Sequence, residues 1–152
     1  MRVRELTVAY RPLPGPFAFD GRKRLSSPRE AAALLVPLLS TEAAEVFGIL
    51  CLSSKHTLIA WHEVSRGTLD TTLVHPREVF KAAILANTAS LVLVHNHPSG
   101  DPTPSPDDVA LTNRLVQAGQ ILGIEICDHI VIGHDSRYFS FLESGRMERT
   151  AL

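Results

Sequence analysis

The feature that most restricts how this chain can fold is the run "SLVLV" at residues 90–94, apolar at nearly every position. A strand with one wet face alternates apolar and polar residues. A run without that alternation has to be covered on both faces, so helices must flank the sheet it belongs to. The next fourteen residues, "HNHPSGDPTPSPDD", hold two histidines, two serines and three aspartates between four prolines. They lead into a helical pattern, with Val109, Leu111, Leu115, Val116 and Leu122 running up to Gly123. A buried strand thus ends in a stiff polar loop and then a helix, and loops at strand ends are where α/β folds commonly place their chemistry.

The rest of the chain fits an α/β domain with a mixed sheet and helices on its faces. "SSPREAAALLVPLL" begins a helix: Ser27 is the N-cap, Pro28 lies in the first turn, and Glu30 follows three residues on as in a capping box. Pro37 kinks this helix or ends it early. "EVFGILCLS" and "TLIAWHEVSRG", separated by "SKH", read as a β-hairpin. "HPREVFKAAILANT" reads as a helix with Val79, Ala82, Ala83 and Leu85 on one stripe and His75 at its cap. "IEICDHIVIG" and "YFSFLE" are the last two strands. Residues 1–25 form an N-terminal appendage with a candidate strand, "RVRELTVAY"; residues 26–145 form the domain, and residues 146–152 a tail.

At the end of a strand, His95 and His97 point the same way and Asn96 points opposite, because side chains alternate with a period of two. Ser105-Pro106-Asp107-Asp108 is a helix start, with serine as cap, proline at the first position and acids where the helix dipole favours them. Either feature has an ordinary structural explanation. Together they bring two imidazoles and a carboxylate to one place, three N/O ligands with room for a fourth, which is the composition of a catalytic zinc site. Asp101 and Asp107 are the alternatives to Asp108; the first suits a turn, and the second lies about 100° away around the helix.

Composition sets bounds on partners and compartment. At 152 residues, 45% hydrophobic and 20% charged, the chain can bury a core of its own. A net charge of -1 gives no global basic field for nucleic acid, although Arg2, Arg4, Arg11, Arg22, Lys23 and Arg24 make the first residues locally basic. Cys51 and Cys127 sit in apolar runs and are expected as reduced thiols. No apolar stretch approaches the ~20 residues of a membrane span, and no secretory h-region is evident. A cytoplasmic protein without a membrane partner is the expectation.

The pattern H-x-H…S-x-x-D, with eight residues from His97 to Ser105 and three from Ser105 to Asp108, resembles the signature of the JAMM (JAB1/MPN) metallopeptidase superfamily. The wider wording "HPREVF…A…HNHPSG…PS..D…T..L…G…LGI…DHIVIG" is similar to its RadC-type branch. The resemblance runs from about Thr41 to Glu143 and takes in Gly67-Thr68 of "SRGT". It implies a single JAB/MPN-like domain, similar to the cytidine-deaminase layout, and Zn2+ bound by His95, His97 and Asp108. It also implies that Ser105 assists a developing oxyanion and that an upstream glutamate handles protons. Glu45, fifty residues before His95, is the choice for that glutamate. Glu42 is the runner-up; Glu63 and Glu78 lie in a strand and at a helix start. Asp128 or His129 in "CDHIVIG" can brace the site.

The resemblance implies a zinc-dependent hydrolase of peptide or isopeptide bonds. A second reading is a DNA-associated protein that is no peptidase, since the RadC branch carries a DNA-repair label. Full-length members of that branch resemble a helix-hairpin-helix region joined to this domain, and residues 1–40 are too short for that module. Nucleobase deamination would need H-x-E with P-C-x-x-C, and neither is present. A metal-free binding module is at odds with an intact ligand set. Physiological substrate and oligomeric state are not written in these residues.

Overall fold

In the computed structural model, residues 3–13, 23–67 and 74–147 are described. Three helices, α1 (Pro28–Leu39), α2 (Pro76–Leu85) and α3 (Pro106–Leu122), flank a sheet of five strands: β1 (Glu45–Leu52), β2 (Leu58–Gly67), β3 (Ser90–Asn96), β4 (Glu125–Ile132) and β5 (Tyr138–Ser140). The sheet order is β2-β1-β3-β4-β5. The β3–β4 pair is parallel and the other three pairs are antiparallel, so the sheet is mixed as expected. β3 is central, and all seven of its residues are buried.

The two faces of β3 feed two cores. Leu91 and Leu93 join Phe47, Ile49, Val79, Phe80, Leu111 and Leu115 under α2 and α3. Val92 and Val94 join Ala31, Leu35, Leu39, Leu50, Ile130 and Ile132 under α1. Fully burying a Leu, Ile, Val or Phe side chain contributes about 1.5–3 kcal/mol, so the absence of polar alternation in "SLVLV" reflects a layer covered on both sides.

Several expectations about single elements are corrected. The candidate strand at residues 2–10 is not formed over its described residues: residues 3–13 carry no regular structure, and Val3 and Leu6 are 96% and 77% exposed. An alternating pattern makes a strand only beside a sheet edge, and outside the named strands the described residues make just one isolated bridge, Arg24 to Thr57. Leu25 is buried in the α1 core, and Met147 packs on the α2–α3 core. Pro37 does not stop α1, which runs on to Leu39; so near the helix end, the missing N–H removes only one bond. Ser27 accepts from the Glu30 N–H, while the Glu30 carboxylate accepts from Ser26 rather than Ser27. His75 stands at the N-cap of α2 without a side-chain capping bond. Phe80 takes the buried place on α2 that Leu85 was expected to share; Leu85 is 38% exposed. On α3 the buried stripe is Asp108, Leu111, Thr112, Leu115 and Gly119, so two polar residues and a glycine stand where apolar spacing alone placed Val109, Val116 and Leu122. At Gly119 a Cβ would lie 2.4 Å from the Ile124 carbonyl oxygen, so only glycine lets α3 pass this close to the start of β4.

Among the described residues, no helix is long and apolar enough to cross a membrane.

Candidate metal centre

β3 delivers both histidines. His95 pairs across to Phe47 on β1 and Val131 on β4 and has no exposure at all. His97 lies just past the strand, its N–H donating to the Ile132 carbonyl. The imidazole of His95 stacks beside Phe47, with ring centroids 6.2 Å apart. The loop then turns back at Gly100, whose φ of 87° is open to glycine and whose Cβ would strike the His134 ring. Asp101 is the turn former expected of it: its Oδ1 accepts from the N–H and hydroxyl of Thr103. Its carbonyl oxygen, in turn, lies 2.8 Å from His97 Nδ1.

Asp108 enters from the first turn of α3. The S-x-x-D spacing is a reciprocal capping box: Ser105 Oγ accepts from the Asp108 N–H (3.1 Å), and Asp108 Oδ2 accepts from the Ser105 N–H (2.7 Å). The cap and the placement of the carboxylate are thus one device, because the bond that closes the helix end also aims the Asp108 side chain. Asp107 is exposed on the same turn.

The three side chains meet. His95 Nε2 is 2.9 Å from His97 Nε2 and 3.3 Å from Asp108 Oδ1, and His97 Nε2 is 3.2 Å from Asp108 Oδ2. Tetrahedral ligands at ordinary zinc distances stand about 3.3 Å apart, so these spacings fit a shared ion. His95, His97 and Asp108 could together hold a metal ion.

The hydrogen bonds decide what kind of guest is wanted. A carbonyl can only accept, so His97 Nδ1 donates to Asp101 and leaves the Nε2 lone pair facing inward. On the other side, Thr112 Oγ1 donates to the Asp108 carbonyl (2.6 Å) and therefore accepts from His129 Nδ1 (2.6 Å). His129 Nε2 then accepts from His95 Nδ1 (2.8 Å), and His95 Nε2 is also left as a lone pair. These tautomers are assigned from the bonding network. With both rings neutral, two lone pairs and a carboxylate face one another with no donor among them, an arrangement relieved by a metal ion or by a proton taken up on His97.

Burial works against the charged form of Asp108, but contact with His95 and His97 outweighs it and holds the carboxyl far below the usual range. Asp108 in turn raises the proton affinity of His97, burial opposing and Glu45 adding to the rise. Burial, with the nearby His95, keeps His129 neutral, well below the ordinary histidine value.

Glu45 opens β1 two residues before Phe47, on the face of the sheet that carries His95, and close enough for its charge to act on His97. Three other glutamates form ion pairs. Glu42 and Glu63 both bind the Arg66 guanidinium (2.7 and 2.8 Å), and Glu78 binds Lys81 (2.6 Å). Asn96 holds the backbone on either side of Glu45. Its Oδ1 accepts from the Val46 N–H (2.7 Å), and its Nδ2 donates to the carbonyls of Ala44 (3.0 Å) and Glu42 (3.3 Å). Sequence reasoning missed Asn96 and Thr112. The signal for Asn96 was its place between the histidines, which turns it to the opposite face; for Thr112 it was the four-residue step from Asp108 along the helix.

The family model of the RadC-like JAB domain matches residues 25–146. The chain belongs to this family. Its curated relatives include UPF0758 proteins of Methanosarcina acetivorans, 44% identical over 129 residues (85% of this chain, 56% of the relative), and of Caldanaerobacter subterraneus, 50% identical over 121 residues (80% and 52%). Another, from Staphylococcus carnosus, is 44% identical over 126 residues (83% and 55%). The chain therefore spans about half the length of the curated relatives it matches. As a RadC-like JAB domain it has the α/β layout expected from its motifs, with the H-x-H and S-x-x-D residues gathered at the end of the central strand.

Proposed function

We propose that this domain is a zinc-dependent hydrolase that cuts peptide or isopeptide bonds. The observation that carries the reading is the inward-facing set of His95 Nε2, His97 Nε2 and the Asp108 carboxylate, acceptors without a donor among them. Two imidazoles and one carboxylate match the donor set of hydrolytic zinc, which keeps a further position open. Bound there, zinc supplies Lewis acidity, polarising a carbonyl and making water a stronger acid.

The remaining work falls to this chain's own side chains. Glu45 takes a proton from the attacking water on a carboxylate oxygen and hands it to the departing amine. The position of Glu45 on the His95 face of β1, steadied by Asn96, supports that role. Ser105 uses its oxygen to accept from the Asp108 N–H, so its hydroxyl proton remains to donate to the oxygen of the carbonyl under attack. Phe47 and His129 wall off the inner side of His95 and keep water from its buried edge.

Hydrolysis of a mixed peptide and isopeptide library by zinc-loaded protein tests the reading. Glu45→Gln is expected to keep its zinc and lose about 10²- to 10⁴-fold in turnover, while Glu42→Gln stays near wild type. Full turnover in Glu45→Gln would move the proton carrier elsewhere, and no cleavage by the zinc-loaded wild type would remove the hydrolase reading.

A further inference from the structure

A bonded path behind the ligands links the first of them to the third. Starting at the Asp108 carbonyl, it runs through the Thr112 hydroxyl, His129 Nδ1 and Nε2, and His95 Nδ1, each step 2.6–2.8 Å long. Every member is buried: His95 and His129 have no exposure, Thr112 has 1% and Asp108 7%. His129 is clamped flat against Phe141, with ring centroids 4.9 Å apart and planes 13° from parallel, and lies edge-on to Phe47.

We propose that Thr112 and His129 are positioning residues that fix the tautomer of His95, so that a lone pair and never an N–H of that ring faces the metal position. The inference deepens the zinc reading and rests on it for the identity of the metal. The direction of the path is set at its far end, by the one group that can only accept. The Asp108 carbonyl takes the Thr112 proton, the threonine oxygen is then an acceptor, and each proton along the path must lie on the side away from the ligand cluster. Two neutral imidazoles in contact would otherwise have two arrangements. In the second, His129 carries its proton on Nε2 and donates to His95 Nδ1, which moves the His95 proton to Nε2. An N–H would then point at His97 Nε2 and Asp108 Oδ1, where the metal belongs.

A pair of buried polar rings merely satisfying each other would need no threonine at this position and no connection to Asp108. Ligand histidines usually have this proton held by a carboxylate or a backbone carbonyl. Here a second histidine does it, and the carbonyl that finally anchors the path is that of the third ligand. Helix α3 thus presents a ligand at Asp108 and, one turn later, the hydroxyl that orients a ligand on β3. The four-residue step between Asp108 and Thr112 is therefore as much part of the site as the step from Ser105 to Asp108.

The test uses the whole chain with Thr112→Val and Thr112→Ser. Valine keeps the shape and removes the hydroxyl; serine restores it. Two readouts are taken: the protonation of the His95 and His129 ring nitrogens by ¹⁵N NMR in metal-free protein at alkaline pH, and zinc affinity by competition with a chromophoric chelator. In wild type both rings are expected to be protonated at Nδ1. In Thr112→Val the His95 proton should appear in part on Nε2, and zinc affinity should fall about 10- to 100-fold; Thr112→Ser should restore both. An unchanged His95 tautomer in Thr112→Val, or zinc bound as tightly as by wild type, would overturn the proposal. Should wild type bind no zinc at all, the hydrolase reading fails, and the ring-nitrogen spectra of metal-free protein alone still decide the relay.

Discussion

Asp128 and His129 are neighbours on β4 that face opposite sides of the sheet, and they belong to two buried polar clusters of opposite character. On the α1 face, the Asp128 carboxylate accepts from the Ser140 hydroxyl (2.6 Å) and from the N–H groups of His129 (2.7 Å) and Leu142 (2.9 Å). Burial pushes its carboxyl up, and those three donors hold it back. Its donors and acceptors are matched, and it fastens the turn after β5 to the sheet. On the other face, His129, His95, His97 and Asp108 are matched everywhere except at the centre, where acceptor meets acceptor. A polar cluster that balances internally is explained by the fold alone. One that leaves a surplus of lone pairs needs something from outside the chain.

Substitutions should separate the two clusters, the largest effect falling on metal binding. Asp108→Asn is expected to weaken zinc binding by more than about 100-fold, whereas Asp128→Asn leaves zinc affinity unchanged in a chelator competition. Equal losses in the two variants would erase the distinction. Next in size is stability at the balanced cluster. Asp128→Ala strands the Ser140 hydroxyl, the buried His129 N–H and the half-buried Leu142 N–H, and should cost about 3 kcal/mol in urea denaturation, with zinc still bound by the folded fraction.

Acid should distinguish the clusters as well. His129 has its proton affinity depressed by burial from the ordinary value of 6.5. Its contribution to stability is therefore complete above that pH, and is lost below it as the unfolded chain takes up a proton the folded one refuses. The slope is about 1.4 kcal/mol per pH unit. His97 is shifted upward and acts in the opposite sense, adding stability below 6.5 and losing it as pH rises through its raised value. Burial depresses His62 in the same sense, so metal-free His97→Ala that also carries His62→Gln should keep a His129 slope between about pH 6.5 and 5; a flat profile would place a proton on His129 in the folded state. The smallest effect concerns the surplus itself. At a pH where both rings are neutral, metal-free Asp108→Asn keeps an amide oxygen on the Ser105 N–H and turns its nitrogen to donate to His95 Nε2, so it should be more stable than metal-free wild type by about 1 kcal/mol. A loss of stability there would mean that the cluster is balanced without an ion.

How much of this was legible in the sequence depended on whether a pattern was local. The two-residue step from His95 to His97 and the three-residue step from Ser105 to Asp108 are set by strand and helix periods, and both survive in the folded geometry. The double cover of β3 was readable for the same reason, since seven buried residues in a row leave no polar face. What the sequence did not disclose depends on partners distant along the chain. Thr112 reads as a polar residue on a helix until His129 is brought against it, and Asn96 reads as a spacer until β1 pairs with β3. The alternating residues 3–10 read as a strand because nothing local records the lack of a neighbouring edge.

The most direct measurement of the central claim is elemental analysis of protein purified without chelator, comparing wild type with Asp128→Asn and with His95→Ala. About one zinc per chain in wild type and Asp128→Asn, and none in His95→Ala, is the expected result for a site with three protein ligands. Folded, metal-free wild type that takes up no zinc when the ion is supplied would contradict it.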